Sequence, residues 1–166
     1  MISTCDRWDE GEDAGVEPEV AVLSWRSLGG RASFQGPAQT VRCHGDNTQV
    51  RAQLETPGEG RVLVVDGGGS LEHALLGDRV AQLAVDQGWA GVVVAGAVRD
   101  RAVLATMPLG VVALGTVPRR SRKEGSGSVG VELRVGGARV RPGHHVVDLD
   151  GVLVLPAASP REGAAS

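Results

Sequence analysis

The stretch RVLVVDGGGSLEHALLGDRVAQLAVDQGWAGVVVAGAVRD, residues 61–100, decides the fold. It contains two short apolar runs, 61–66 and 90–96, with glycines at their ends. Such runs are typical of strands that are buried on both faces. Between them, apolar residues recur at helical spacing over 79–87, and Gly88 supplies a stop for a helix. Buried strands next to a helix predict an α/β layer.

The pattern continues on both sides of this stretch. A strand is predicted over 38–43, which contains β-branched threonine and valine, and a third buried strand is predicted over 110–115. Short helices are predicted over 47–54, 71–76 and 100–106. Strand and helix therefore alternate through the centre of the chain, which favours the α/β class.

The two ends of the chain differ from this centre. Residues 1–20 predict a polar, partly helical lead-in with an acidic run. Residues 131–140 and 145–155 predict mostly antiparallel strands. The tail 157–166 is small and polar, which predicts disorder. Because 166 residues can bury one sizeable core, we expect a single domain over residues 1–156.

Composition and charge exclude several classes of partner. A formal net charge of −3 gives no broad attraction for nucleic acid or anionic lipid, so we expect neither a direct nucleic-acid partner nor a membrane partner. Cys5 and Cys43 lack metal-binding spacing, which favours reduced thiols. The N-terminus has no basic region followed by an apolar run, and no segment is long and apolar enough to span a bilayer. A cytoplasmic protein is expected.

Candidate site residues follow two of the predicted strands. Asp78 opens the helix after the first strand, and the pair Arg99-Asp100 follows the second strand. In open α/β sheets, ligands bind beyond the carboxyl ends of the strands. The segments 67–69 and 96–100 both leave such ends, so we expect them to meet in one cleft.

The residue types in this cleft suit a small acid that chelates a metal. If Asp78 is the N-cap of its helix, the free amides of the first turn favour a carboxylate, and Gly77 allows close approach of the backbone. Arg99 offers a planar, two-pronged donor to the same carboxylate. Asp100 offers a hard oxygen ligand for Mg²⁺ or Mn²⁺.

Each feature also has a purely structural interpretation. Asp78 and Asp100 can act only as helix caps, and Arg99 can be a surface arginine. The glycines 67–69 fit a tight strand-to-helix turn as well as a phosphate or adenosine cradle, and neither GxGxxG nor GxxxxGK[ST] is present. The basic loop, residues 119–123, fits a solvated loop or a contact with phosphate or an acidic partner.

Five blocks along the chain carry a family resemblance: GGRASFQGPAQTVRC (29–43), PGEGRVLVVDGGGSLEHALLGD (57–78), GWAGVVVAGAVRD (88–100), LGVVALGTVPRRSRKEGSG (109–127) and RPGHHVVDLDGVLVLP (141–156). In this order they resemble the RraA-like family, which includes the regulator of ribonuclease activity A and the class II 4-hydroxy-4-methyl-2-oxoglutarate aldolases. The D-x20-R-D spacing of Asp78, Arg99 and Asp100 resembles the active-site signature of this family.

The resemblance implies a swivelling β/β/α domain, a three-layer α/β sandwich, which assembles into a ring-shaped homotrimer with active sites at subunit interfaces. It implies that Arg99 and the backbone of residues 77–80 hold the pyruvate portion of a 2-oxo acid substrate, and that Asp100 anchors Mg²⁺ or Mn²⁺. Asp78, through an ordered water, is the implied proton carrier beside Arg99 in catalysis. The substrate-binding residues are then Gly77, Asp78, Arg79, Val80 and Arg99.

The implied activity is that of a metal-dependent lyase, which cleaves 4-hydroxy-4-methyl-2-oxoglutarate to pyruvate by a retro-aldol reaction and decarboxylates oxaloacetate as a side activity. The alternative is a non-catalytic regulator that binds an RNase E-type endoribonuclease. A methyltransferase, suggested by the glycines 67–69, is a third interpretation.

Two departures from the family pattern are visible. The sequence ends soon after residues 152–156, without the extension that adds an acidic residue to a neighbouring site in longer aldolases. Where family members often have Pro-Gly-Asp, this sequence has Pro142, Gly143 and His144, which replaces an acceptor with a group that can donate.

Overall fold

The computed structural model describes residues 4–15, 17–148 and 151–156. Within them the chain forms four helices and eleven strands, which we number in chain order. The elements are α1 (Thr4–Asp13), β1 (Glu19–Ala21), β2 (Arg26–Ser27), β3 (Phe34–Arg42), α2 (Thr48–Leu54), β4 (Val62–Asp66), α3 (Asp78–Asp86), β5 (Gly91–Val98), α4 (Arg101–Leu104), β6 (Gly110–Thr116), β7 (Ser128–Val129), β8 (Leu133–Val135), β9 (Ala138–Val140), β10 (His145–Asp148) and β11 (Val152–Leu155).

One large sheet has the strand order β1-β11-β10-β3-β4-β5-β6-β2, and β7 also pairs with β3. Strands β3, β4, β5 and β6 are parallel to one another, and the remaining pairs of this sheet are antiparallel. The long strand β3 joins the two parts: residues 34–37 pair with β10, and residues 38–42 pair with β4. The predicted buried strands are confirmed, since every residue of β5 is buried.

The sheet separates two apolar cores. Leu63 and Val65 of β4 pack in a cluster with residues of α2, α3 and α4, whereas Val62 and Val64 pack in a second cluster with the hairpin β8–β9. This alternation follows from the period of two in a strand, which sends successive side chains to opposite faces. A helical layer, the sheet and a β-hairpin layer therefore confirm the predicted α/β class and its three layers.

The prediction of a helix over 71–76 is wrong. Ala74 instead forms isolated bridges with Ala97 and Arg120, and the Leu75 amide donates to the Ala97 carbonyl oxygen at 2.9 Å. A segment this short gains little from helix formation alone, so pairing with the end of β5 decides its conformation. The helix predicted over 100–106 is a single short turn, α4.

Other boundaries moved less. Strand β3 begins at Phe34, before the predicted start of this strand at residue 38, because pairing with β10 extends it. The antiparallel strands predicted over 131–140 are confirmed as β8 and β9, which are joined by a turn at Gly136 and Gly137, both with positive φ. The predicted disorder of 157–166 lies outside the described residues, and the single domain over 1–156 stays a prediction. No helix in the described part of the chain is long and apolar enough to cross a membrane.

Phe34, the only phenylalanine of the chain, lies across two glycines of the central strands. A Cβ atom built on Gly91 of β5 or on Gly110 of β6 would overlap its ring. The ring is buried and belongs to the apolar cluster under the hairpin β8–β9. The two glycines therefore provide the space that this ring fills.

We expect Gly110→Ala to lower the free energy of unfolding by about 1–3 kcal/mol, because overpacking forces the Phe34 ring or the backbone to shift. Urea unfolding followed by circular dichroism measures the change. Gly115→Ala on the same strand is the matched control, because its new Cβ would lie 3.4 Å from a Leu71 methyl carbon, an ordinary contact. Equal stability of the two variants would contradict the packing argument.

Candidate active site

Two strand-to-helix connections meet at one end of the parallel strands. The connection after β4 leads to Gly77 and α3, and the connection after β5 consists of Arg99 and Asp100. The Arg99 amide donates to the Leu76 carbonyl oxygen at 2.9 Å, and the Asp78 amide donates to Asp100 Oδ2 at 3.1 Å. The structure therefore brings Asp78, Arg99 and Asp100 together, as the sequence predicted.

Gly77 permits this close approach, because it has no side chain. A Cβ atom at this position would lie 2.8 Å from Asp100 Oδ2 and 3.2 Å from Arg99 Nε. Its φ of −134° is open to any residue, so the requirement for glycine is one of space. Any larger residue at position 77 would push the two charged side chains away from the helix.

The prediction that Asp78 is the N-cap of this helix is wrong by one residue. The helix begins at Asp78, and Gly77 is the N-cap because its extended backbone precedes the first helical turn. Asp78 Oδ1 accepts a hydrogen bond from the Arg79 amide at 2.8 Å, and a carboxylate in the first turn is favoured by the helix dipole. The Val80 amide has no acceptor within the described residues, so it remains available to a ligand.

Asp100 adopts a left-handed backbone conformation, with φ 58° and ψ 42°. Its carbonyl oxygen accepts from the amides of Val103 and Leu104 at 3.0 and 2.9 Å, which begins α4. Non-glycine residues in this region cost free energy and are concentrated at functional sites. This conformation places the carboxylate over the start of α3, where Oδ2 meets the Asp78 amide.

Arg99 and Asp100 both keep binding capacity for a ligand. Arg99 Nε lies 3.7 Å from Asp100 Oδ2, and the side chains are 34% and 36% exposed. A pair so exposed contributes little to stability. Within the described chain, the terminal nitrogens of Arg99 donate no hydrogen bond and Asp100 Oδ1 accepts none. The guanidinium fork can therefore bind an anion while a carboxylate oxygen binds a cation.

The donor set fits a hard divalent cation. Among the described residues, no group of three or more His, Cys, Asp or Glu side chains could hold a metal ion. Mg²⁺ in proteins commonly uses one or two carboxylates and completes its shell with water and substrate oxygens. Asp100, with Asp78 beside it, matches that requirement and would leave positions for a 2-oxo acid.

The three residues open into a cleft of about 330 Å³ whose charged lining residues are mainly cationic. It is lined by Asn47, Arg51, Ala74, Gly77, Asp78, Arg79, Val80, Arg99, Asp100, Arg120, Ser121 and Lys123. Five cationic residues face two carboxylates, which favours anionic ligands. Arg120 and Lys123 belong to the basic loop, and their position supports the anion-contact interpretation of that loop.

Comparison with known proteins shows the family of the chain. A family model described as Aldolase/RraA matches residues 3–154. The chain belongs to the RraA-like family. It is 50% identical over 145 residues to the 4-hydroxy-4-methyl-2-oxoglutarate aldolase of Thermus thermophilus. The aligned region covers 87% of this chain and 88% of that relative.

Solved structures of two relatives have the same fold. The RNA-processing inhibitor RraA from Thermus thermophilus superimposes with a TM-score of 0.90 at 46% identity and covers 100% of this chain and 98% of that one. A Geobacillus kaustophilus protein described as an S-adenosylmethionine:2-dimethylmenaquinone methyltransferase gives a TM-score of 0.89 at 47% identity, covering 94% and 96%. The predicted RraA-like architecture is therefore confirmed.

The glycine turn of this RraA-like chain is closed by its own hydrogen bonds. The amides of Gly67 and Gly69 both donate to the Ala95 carbonyl oxygen, at 3.1 and 3.0 Å, and the Gly68 amide donates to Asp66 Oδ1 at 2.9 Å. A phosphate cradle needs free amides pointing at the ligand. The interpretation as a strand-to-helix turn is therefore favoured over a phosphate or adenosine site.

His144, which replaces the aspartate common in the RraA-like family, lies in the turn before β10 and is not among the residues that line the cleft. Its Nδ1 accepts a hydrogen bond from the Arg141 amide at 3.4 Å. Burial lowers the pKa of this imidazole, which favours the neutral form that can accept this bond. The change from aspartate to His144 therefore affects the turn before β10 and not the lining of the cleft.

Sequence reasoning missed Asp46, which is next to the cleft residue Asn47 and only 1% exposed. Its Oδ1 accepts from the amide and hydroxyl of Thr48 at 2.9 and 2.7 Å. Its Oδ2 accepts from the amides of Glu124 and Ser126 at 2.8 and 3.2 Å, and from the Ser126 hydroxyl at 3.1 Å. An aspartate just before a helix is a capping signal, but its distant partners leave no local trace.

Asp46 is ionised in the folded protein. Burial alone raises the pKa of this carboxyl, but the hydrogen bonds from Thr48, Glu124 and Ser126 outweigh burial and hold the pKa well below its usual value. Because the unfolded pKa is about 3.9, the ionised group stabilises the fold fully above that pH. This stability is lost as the pH falls through the lower, folded-state pKa.

We expect Asp46→Asn to lower the free energy of unfolding by about 2–3 kcal/mol near neutral pH, because donors to a buried charge lose their acceptor. The difference from wild type should shrink below about pH 4, where the unfolded carboxyl is protonated. Urea unfolding over this pH range tests it. Asp86→Asn is the control: that exposed carboxylate accepts one hydrogen bond, from Gln82 at 2.8 Å. A difference independent of pH would refute the assignment.

Proposed function

We propose that the protein is a divalent-metal-dependent carbon–carbon lyase that cleaves 4-hydroxy-4-methyl-2-oxoglutarate to pyruvate by a retro-aldol reaction. Decarboxylation of oxaloacetate is proposed as a side activity, because both reactions pass through the enolate of pyruvate. The observation that carries the proposal is the juxtaposition of Asp100, with one unpaired carboxylate oxygen, the unpaired terminal nitrogens of Arg99 and the start of α3. The aldolase name of a relative at 50% identity supports the choice of substrate.

The pyruvate portion of the substrate would lie between Arg99 and the first turn of α3. The Arg99 fork donates to the carboxylate in a two-pronged manner, and the free Val80 amide at the positive end of the helix adds a third donor. Gly77 lets the side chains of Arg99 and Asp100 lie close to the start of the helix. The backbone of residues 77–80, which includes Asp78 and Arg79, thus forms one side of the substrate site.

Asp100 would hold the metal, Mg²⁺ or Mn²⁺, directly or through water. When bound, such an ion acts as a Lewis acid on the carboxylate and carbonyl oxygens of a 2-oxo acid and so favours the enolate form of the product. Asp100 suits this role because it lines the cleft and its Oδ2 is fixed by the Asp78 amide, while within the described chain its other oxygen accepts no hydrogen bond.

Asp78 is the proposed proton carrier. The retro-aldol step removes the proton of the 4-hydroxyl group, breaks the bond between C3 and C4, and leaves an enolate that must be protonated at carbon. Asp78 lines the cleft, and one of its carboxylate oxygens is oriented by the Arg79 amide. A water held by the other oxygen would carry the proton in either direction.

The opposite wall of the cleft suits the second carboxylate of these substrates. Both 4-hydroxy-4-methyl-2-oxoglutarate and oxaloacetate are dianions. Arg51, Arg120 and Lys123 line the cleft in addition to Arg99 and Arg79. Such an excess of cations attracts a doubly charged acid more strongly than a single carboxylate.

Metal removal tests the proposed chemistry. We expect EDTA-treated protein to release no pyruvate from either substrate, and we expect Mg²⁺ or Mn²⁺ to restore release, because enolate formation needs an electrophile. A coupled lactate dehydrogenase assay measures the product. Ca²⁺ added in place of Mg²⁺ controls for charge alone, since it prefers more ligands and longer bonds. Undiminished pyruvate release in the presence of EDTA would refute the metal requirement.

The assembly is proposed to be a homotrimer, as the family resemblance implies. Support comes from exposed apolar side chains near β1, where Val22 is 72% and Val20 is 41% exposed, since such groups often mark interfaces. Light scattering tests this part of the proposal, and a strict monomer contradicts it. The cytoplasmic location and the absence of a direct nucleic-acid partner stay predictions.

A second candidate function is regulation of an RNase E-type endoribonuclease. The observation that favours it is the similarity over the whole chain to the RNA-processing inhibitor RraA. This function requires surface contact and no chemistry in the cleft. It therefore predicts ribonuclease binding that survives Arg99→Ala and Asp100→Ala, whereas the lyase loses its activity in both variants.

A further inference from the structure

Two walls of the cleft come from segments that are far apart in the sequence. One wall is the start of α2, with Asn47 and Arg51, and the other is the loop 119–127, with Arg120 and Lys123. This loop contains neither helix nor strand and is largely exposed. Loops of this kind have little order of their own. The positions of its cations must therefore depend on anchors outside the loop.

The loop has two anchors. Its start is held by Ala74, whose amide donates to the Arg119 carbonyl oxygen at 2.8 Å and which bridges Arg120, and its later part is held by Asp46 and its neighbour. The Arg122 amide donates to the Gly45 carbonyl oxygen at 2.6 Å. The amides of Glu124 and Ser126 donate to Asp46 Oδ2 at 2.8 and 3.2 Å, and the Ser126 hydroxyl adds a third bond at 3.1 Å. One carboxylate oxygen thus holds the loop directly after Lys123.

The two oxygens of Asp46 hold different walls. Oδ1 accepts from the amide and hydroxyl of Thr48, the first residue of α2, while Oδ2 holds the loop. Asp46 itself is 1% exposed and is not among the residues lining the cleft. It can therefore influence a bound ligand only through the residues that it places.

We propose that Asp46 is a positioning residue, which orients Lys123 towards an anion bound in the cleft by tying the loop segment directly after Lys123 to the start of α2. The Asp46 carboxylate is the acceptor in all five of these hydrogen bonds. In asparagine one of the two oxygens is replaced by an NH₂ group, which is itself a donor, so asparagine can accept only some of the five bonds. The loosened loop must then be ordered whenever the anion binds, which weakens binding.

Steady-state kinetics on the full chain tests the proposal, and this readout rests on the proposed lyase function. We expect Asp46→Asn to raise KM for 4-hydroxy-4-methyl-2-oxoglutarate about tenfold, as for loss of a group that orients a ligand-binding residue. The fall in kcat should be smaller, because Asp46 does not face the reacting carbons. Asp86→Asn should leave both constants unchanged. A lower melting temperature with unchanged KM means a merely structural role and overturns the proposal.

A second readout does not depend on the lyase function. The loop contains Arg120, Arg122 and Lys123, so trypsin cuts it wherever it leaves its anchors. Mass spectrometry should show cleavage within 119–124 about tenfold faster in Asp46→Asn than in wild type, since cleavage follows the open population. If wild type releases no pyruvate, the proposed function fails. Asp46 is then judged by this rate, and an unchanged rate overturns the proposal.

Ser126→Ala is a milder variant that covers the case in which Asp46→Asn does not fold, because it removes only the hydroxyl donor to Asp46. We expect KM to rise roughly threefold and trypsin to cut the loop correspondingly faster, the effect of one lost hydrogen bond. If Asp46→Asn does not fold, the KM and the trypsin cleavage rate of Ser126→Ala test the proposal in its place. Wild-type KM together with wild-type cleavage in Ser126→Ala overturns the proposal.

Discussion

Asp100→Asn is expected to lower kcat/KM for pyruvate release by about 10³-fold, the scale of losing a principal group that stabilises the transition state. Asparagine tolerates the left-handed backbone that Asp100 adopts, so the fold and α4 should remain intact. What the variant loses is the negative charge that would hold the divalent cation. Because Mg²⁺ affinity should fall with activity, titration calorimetry with Mg²⁺ provides a second measurement.

Asp86→Asn makes the same chemical change on the exposed end of α3 and should keep wild-type kinetics. Asp100→Ala separates charge from backbone, since alanine loses the charge and also strains the left-handed position. We therefore expect the alanine variant to be less stable than the asparagine variant at equal activity. Wild-type activity in both would show that Asp100 does not carry the metal.

Arg99→Lys is the second change with a large expected effect, a loss of about 10²-fold or more in kcat/KM. Lysine keeps the positive charge but has no planar fork, so it cannot make two parallel hydrogen bonds to a carboxylate. The Arg99 amide bond to Leu76 belongs to the backbone and should survive. Both KM and kcat should change, because the carboxylate orients the bond that breaks.

The control for this change is Arg134→Lys, an exposed arginine on β8 that does not line the cleft. It should leave kinetics and stability unchanged, since exposed substitutions alter stability by at most about 0.5 kcal/mol. Pyruvate release from both substrates is the assay. Full activity of Arg99→Lys would show that charge alone is sufficient and would refute the two-pronged contact.

Much of the central fold was predictable because its signals are local. The apolar runs 61–66 and 90–96 became β4 and β5, since a continuous apolar run can be buried on both faces only between layers. The helix over 79–87 was also correct to within a residue at each end. Its hydrophobic spacing and the glycine beyond it are local features.

The errors lie where distant partners override local preference. Residues 71–76 look helical, yet pairing of Ala74 and Leu75 with Ala97 keeps them out of a helix. Asp78 looks like a cap, yet Gly77 takes that place because the carboxylate of Asp100 binds the Asp78 amide. Neither contact can be read from the residues that it changes.

The sequence by itself determined the layered α/β fold, the RraA-like family and the pairing of Asp78 with Arg99 and Asp100. The spacing of apolar residues, the glycines at the ends of elements and the motif spacing are features of the sequence itself, so they can be recognised without the structure. Only the tertiary structure showed that Asp46 joins the 119–127 loop to α2. A buried carboxylate is hydrogen-bonded by the donors that the fold brings next to it. Two of these donors lie 78 and 80 residues away in the sequence, so the residues around Asp46 contain no pattern that predicts them.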